Sequence, residues 1–138
     1  MTETQQPQSL DNLEGLTQQY LAAFEARDLE KCMSFFDESS VIDFHMGVYR
    51  GLKAIQSWHQ DRFAANLRLM QIESLHVNDA TVTVDAIASS NRLLAWKIKS
   101  VAGRLVIQYC EGKVRHAKLS PRMNNPINSI RSGLGMDR

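Results

Sequence analysis

The hydrophobic period of this chain changes once, near Leu67, and that change limits the folds open to it. Before it, apolar residues recur every three or four positions, as on one face of a helix; after it they alternate, as on one face of a strand. Leu13, Leu16, Tyr20, Leu21 and Phe24 form a stripe predicting a helix from about Asp11 to Ala26, with Asp11 and Glu14 as its capping pair. Asp28 is the expected N-cap of a second, shorter helix with Leu29, Cys32, Met33 and Phe36 inward. The polar run Asp37–Ser40 stops it, and Val41 and Ile42 make Ser40–Phe44 extended. Gly47 and Gly51 bracket a short strand at Val48–Arg50, before a third helix that buries Leu52, Ile55, Trp58, His59 and Phe63.

Strict alternation then marks Thr81–Ala86 and Leu94–Lys99 as strands. Gly103 and the pair Glu111-Gly112 are read as turns, leaving strands near Arg104–Cys110 and Lys113–Leu119. Val82, Val84 and Ala86 share one face, as do Leu94, Trp96 and Ile98, and Leu105, Ile107 and Tyr109; Asp85, Lys97, Lys99 and Gln108 fall opposite. Helices first and a meander after is the α+β pattern. Three N-terminal helices on a curved, mostly antiparallel sheet would make a cone with its mouth between the two layers.

The length of 138 residues suits one domain. Residues 1–10 read as a polar arm, 11–120 as the domain, and 121–138 as a loose tail that Pro121 and Pro126 begin. Nothing approaches the roughly 18 apolar residues needed to span a membrane. Met1–Ser9 lacks the basic and apolar parts of a signal peptide, so a cytoplasmic location is the expectation. Cys32 and Cys110 both sit in apolar segments and are expected as buried thiols. Residues 1–91 carry 13 acidic and 6 basic side chains, whereas 92–138 carry 2 and 10. The basic residues alternate with apolar ones instead of forming a block, which favours a solvated sheet face or a complementary protomer contact over nucleic acid.

The stretch Tyr20-Leu-Ala-Ala-Phe-Glu-Ala-Arg-Asp28-Leu29 resembles the first-helix signature of SnoaL-like and ketosteroid-isomerase-like proteins, within the nuclear transport factor two-like superfamily. Phe35-Phe36-Asp37, Val41-Ile42-Asp43, Gly47, Tyr49-Arg50-Gly51 and Ile55 follow in the order of that family. Ile107–Val114 resembles its penultimate hairpin, so the similarity spans about residues 13–119. It implies a cystatin-like roll, commonly dimeric through the sheet.

The resemblance puts Asp43 where ketosteroid isomerases keep the carboxylate that moves a proton, and burial in an apolar cone would raise its basicity. The alternative is a turn cap before Gly47 or a partner for Arg50. Tyr20 matches the phenol that donates to the developing oxyanion, although its place on the apolar stripe also suits a core tyrosine. The second oxyanion donor of those isomerases is a carboxylic acid kept protonated by its apolar site. Leu105 stands there, and losing one such donor costs about 10²–10³ in rate, so steroid isomerisation is not the expected reaction. His45, two residues after Asp43, would share its face as an acid–base partner or else sit at a loop rim. His59 reads as a satisfied core or boundary histidine.

Phe24, Phe36, Trp58, Met70, Trp96, Leu105 and Tyr109 are the expected lining of the cone, suited to a small apolar or aromatic molecule. A phosphate loop, a dinucleotide fingerprint and a nucleophile elbow are missing, and the histidines and cysteines lack metal-site spacing; no cofactor and no metal are expected. Two uses remain. One is a pocket protein, an isomerase, cyclase or lyase without cofactor, with Asp43, Tyr20 and His45 as its working groups. The other is a non-catalytic homodimer using the outer sheet face, where Leu93, Ala95, Val106 and Cys110 would supply apolar area.

Overall fold

The computed structural model describes residues 10–44 and 47–122. Helix α1 (Leu10–Glu25) and the short α2 (Leu29–Met33) come first, then strands β1 (Val41–Phe44) and β2 (Gly47–Arg50). Helix α3 (Gly51–Ala64) precedes two long strands, β3 (Arg68–Asn78) and β4 (Thr81–Ser89). A five-residue helix, α4 (Asn91–Ala95), leads into β5 (Val101–Cys110) and β6 (Lys113–Pro121). The strands form one curved, unclosed sheet in the order β2-β1-β6-β5-β4-β3, antiparallel throughout except where β1 lies parallel to β6. The fold is α+β, as the change of period predicts. No helix among the described residues is long and apolar enough to cross a membrane.

Local chemistry explains the elements. The Asp28 carboxylate accepts from the Lys31 N–H and caps α2. Glu111 and Gly112 both have positive φ, 53° and 80°, which is the tight hairpin turn that lets β5 pair directly with β6. Leu13, Ile55, Val82 and Ile107 are fully buried between helices and sheet. Irregularities in β3 between Leu69 and Gln71 and between Ile72 and Ser74, and in β5 between Gln108 and Tyr109, let the sheet bend around that core.

Four expectations are corrected. Leu94–Lys99 is not a strand: the Ser90 hydroxyl accepts from the Leu93 N–H and starts α4, and Leu94, Trp96 and Ile98 are exposed. Leu and Ala are strong helix formers, and no neighbouring strand competes for this segment. Gly103 is not a turn but lies inside β5, opposite Ala86 and Pro121. Cys110 is exposed, because plain alternation along β5 turns Ile107 and Tyr109 inward and Gln108 and Cys110 outward; Cys32 is buried as expected. The outward apolar face is smaller than expected too, since Ala95 belongs to α4 and Leu93 lines an internal cavity. The expected arm and tail lie outside the described residues apart from Leu10, Pro121 and Arg122.

Ser40 ties the two layers. Its hydroxyl is fully buried, donates to the Val114 carbonyl of β6 and accepts from the Asp37 N–H at 2.9 Å. Ser40→Ala leaves both backbone groups short of a partner, so a loss of about 1–3 kcal/mol is expected in urea unfolding. An unchanged midpoint and slope would show that neither bond contributes.

Candidate functional site

Between the concave face of the sheet and helices α1 and α3 the described residues enclose a cavity of about 470 Å³. The helix side is aromatic: Tyr20 and Phe24 come from α1, Trp58 from α3, and Phe36 and Phe44 flank them. The sheet side mixes small residues, Ala86, Ala88, Ala102, Gly103 and Ala117, with branched ones such as Val84, Leu105, Ile107 and Leu119. The small residues among them leave room that the two layers do not fill. Trp96, 66% exposed, stands with Val101 at the opening.

Tyr20 and His59 form a buried pair at this wall. The Tyr20 hydroxyl is 2.7 Å from His59 Nε2, and His59 Nδ1 is 2.8 Å from the Ile55 carbonyl. A carbonyl only accepts, so Nδ1 carries the proton. Neutral His59 then has a lone pair at Nε2, and Tyr20 is the donor between them. Burial lowers the His59 pKa, with the Ile55 bond acting weakly in the opposite sense, so the ring is held neutral. Burial likewise raises the Tyr20 phenol well above its ordinary value. The edges of Phe35, Phe36 and His59 meet the Tyr20 ring, with centroids 5.6, 5.7 and 5.9 Å away. The pair is thus neutral at rest, and Tyr20 offers the cavity an oxygen lone pair, not a hydrogen.

Trp58 adds the opposite polarity. Its side chain lines the cavity and is 4% exposed, and its indole Nε1–H has no hydrogen-bond partner. Arg62, one turn further along α3, stacks over the same indole and over Phe44, with its guanidinium carbon 5.6 and 4.9 Å from the ring centroids. Arg62 and Arg92 also line the cavity, whereas no Asp or Glu among the described residues does.

Asp43 is not on this wall. Ile42 and Phe44 line the cavity, so strand alternation sends the residue between them to the outer face, level with Val48 and Lys118 in the neighbouring strands. The expectation of a pocket carboxylate is corrected accordingly. His45 lies outside the described residues. Phe24, Phe36, Trp58, Trp96 and Leu105 line the cavity, whereas Met70 and Tyr109 do not. Met70 is 62% exposed because the irregularity after Leu69 turns Leu69 and Ile72, three apart, onto the wall in its place. Tyr109 is buried, with its hydroxyl 2.7 Å from Thr17 Oγ1, which in turn donates to the Leu13 carbonyl at 2.8 Å. Sequence reasoning passed over Arg62 and Arg92; the i, i+4 spacing from Trp58 to Arg62 was the available signal.

The sequence matches no family model and no curated protein. Solved structures do match. A candidate polyketide cyclase from Sinorhizobium meliloti superposes with a TM-score of 0.69 at 16% identity, covering 81% of this chain and 99% of that one. A candidate ketosteroid isomerase from Kribbella flavida gives 0.71 at 13% identity, covering 94% and 91%. The chain has the nuclear transport factor two-like fold. A third neighbour, a ketosteroid-isomerase-like fold from Catenulispora acidiphila solved in complex with trimethylamine, gives 0.65 at 14% identity over 78% of this chain and 85% of that one. At such identities the likeness carries the nuclear transport factor two-like architecture and no chemistry.

A neutral buried His59 has a stability consequence with a definite sign. Above pH 6.5 the ring is uncharged in both folded and unfolded chains. As pH falls below 6.5 the unfolded chain takes up a proton that the folded chain, with its lowered pKa, refuses, so stability drops. Comparing urea unfolding at pH 7.5 and 5.5, wild type should lose more stability than His59→Gln, with the carboxylates common to both cancelling. Equal losses would mean that His59 is not held neutral.

Proposed function

We propose that this cavity binds a small apolar or aromatic molecule carrying one carbonyl-type oxygen. The observation that carries this reading is the Trp58 Nε1–H, a buried donor without a partner on a ring that lines an otherwise largely apolar space. A buried donor left unsatisfied costs about 1–3 kcal/mol, which a ligand acceptor would return on binding. The volume lies within the range of small-molecule sites. The neighbour from Catenulispora acidiphila, solved with trimethylamine, supports a small-molecule site in this fold without pointing to the chemistry of its ligand.

The Tyr20–His59 pair is the acid–base group of this reading, in an isomerase, cyclase or lyase without cofactor. A substrate carbon acid bound beside Tyr20 would give its proton to the phenol oxygen as the phenol hydrogen moves to His59 Nε2. That leaves an enolate on the ligand, a neutral phenol, and an imidazolium whose Nδ1–H is bonded to Ile55. Burial disfavours that imidazolium, so it would form only while the ligand carries the balancing negative charge. The Trp58 donor would hold the enolate oxygen. His45 joins this reading as a candidate shuttle, and Asp43 takes no part in it.

Both tryptophans of the chain line the cavity, so intrinsic fluorescence reports on its occupant. Titration with small aromatic aldehydes and ketones should quench it. Trp58→Phe should weaken binding about 5- to 10-fold, as loss of one hydrogen bond implies. Ala86→Phe, which fills the void from the sheet side, should abolish binding while the chain stays folded. For any compound that is turned over, Tyr20→Phe should stop the reaction and Asp43→Asn should leave it. Binding that survives Ala86→Phe, or turnover that survives Tyr20→Phe, would sink the corresponding half of the reading.

Non-catalytic dimerisation through the outer sheet face is the second use of such a fold, favoured here by half-buried Val106 and exposed Cys110, which lie on the same face of β5. Light scattering across the micromolar range decides it: a dimer keeps this use open, and a monomer at every concentration removes it.

A further inference from the structure

The charged groups of the cavity are all of one sign. Arg62 is half-buried, lies against the Trp58 and Phe44 rings, and has no carboxylate partner among the described residues. The ion pairs among the described residues use other arginines: Arg68 with Glu25, Arg104 with Asp85, and Arg122 with Glu73. A guanidinium held on an aromatic face keeps its N–H edge available, and the arrangement is weakly hydrated. The orphaned Trp58 Nε1–H belongs to the same indole that Arg62 covers. Arg92, at the start of α4, contributes a second cation to the lining.

From this juxtaposition we infer that the ligand is an acid: an aromatic or aliphatic carboxylate whose apolar body occupies the cavity and whose anionic group takes hydrogen bonds from Trp58 and Arg62. The inference rests on the pocket reading above and names its ligand class. A neutral carbonyl would satisfy Trp58 but leave Arg62 facing an apolar space. A cation would meet two like charges with no acidic residue to offset them. A carboxylate has lone pairs enough for both donors, and hydrogen bonds with one ionised partner are about twice as strong as neutral ones. Arg92 would add long-range attraction at the entry without needing to touch the bound acid.

A matched pair of probes tests this: 2-naphthoate and its methyl ester, which share the ring system and differ in charge. Calorimetric titration of the full chain at pH 7.5 should show the acid binding at least about tenfold more tightly than the ester. Arg62→Gln should remove most of that preference while the ester still binds. Arg62→Lys, which keeps the charge but loses the planar fork, should restore part of it. Circular dichroism and melting of each variant establish that it is folded. Equal affinity for acid and ester, or a preference that survives Arg62→Gln, overturns the acid assignment and leaves the pocket reading standing. Failure of both probes to bind wild type removes the pocket reading and the acid assignment together.

Discussion

The hydrogen bond from His59 Nδ1 to the Ile55 carbonyl is made within one turn of α3, yet it fixes the polarity of the whole site. By committing the only ring hydrogen to the backbone, it turns Nε2 into an acceptor and forces Tyr20 to donate across the gap between α1 and α3. Tyr20 is in turn wedged among ring edges from the α2 region, so its oxygen is positioned from three sides. Reversing the tautomer would set two donors against each other or orphan the Ile55 carbonyl. The arrangement therefore has one low-energy state, in which the helix layer presents to the cavity an oxygen that accepts.

The cavity itself follows from an imbalance of side-chain size. A sheet of this width normally meets its helices with branched residues that interdigitate at close-packed density. Here β4, β5 and β6 set four alanines and a glycine among their branched residues on the wall, while α1 and α3 contribute rings. The fold survives because the other end of the same sheet is packed in the ordinary way: Val82, Leu13 and Ile55 close it, and the Thr17–Tyr109 bond joins the polar atoms there. Stability is concentrated at one end of the cone and space at the other, so a ligand can enter without the core being disturbed.

Residues with one dominant periodic partner were legible in the sequence. Helices α1 and α3, the Asp28 cap and the Glu111-Gly112 hairpin lie where pattern and turn chemistry put them. So do four lining residues, Phe24, Phe36, Trp58 and Leu105; Trp96 also lines the cavity, but from the end of α4 and not from the expected strand. Met70 failed for a physical reason: alternation is a local code, and an extra residue in a strand resets it. The irregularity after Leu69 exchanged Met70 for Leu69 and Ile72 on the wall; Cys110 is a separate case, since its apolar neighbours suggested burial while alternation in β5 turns it outward. Leu94–Lys99 failed differently, because six residues of alternating character fit a short exposed helix as well as a strand, and the decisive Ser90 cap lies upstream.

Asp43 shows how sharply strand geometry can decide chemistry. The period of a strand is two, so a carboxylate lies either on the cavity wall or on the opposite face. With Ile42 and Phe44 inward, β1 spends its inward positions on apolar contact, and Phe44 in particular packs against Trp58 and under Arg62. An inward Asp43 would require a register slip that exposed both of those residues and removed one of the two rings on which Arg62 rests. The same choice that withdraws the acidic group from the cavity thus holds a basic one at its edge. A cone built this way has an acceptor at Tyr20, donors at Trp58 and Arg62, and apolar surface between them, all held by the spacing of those residues along helices α1 and α3.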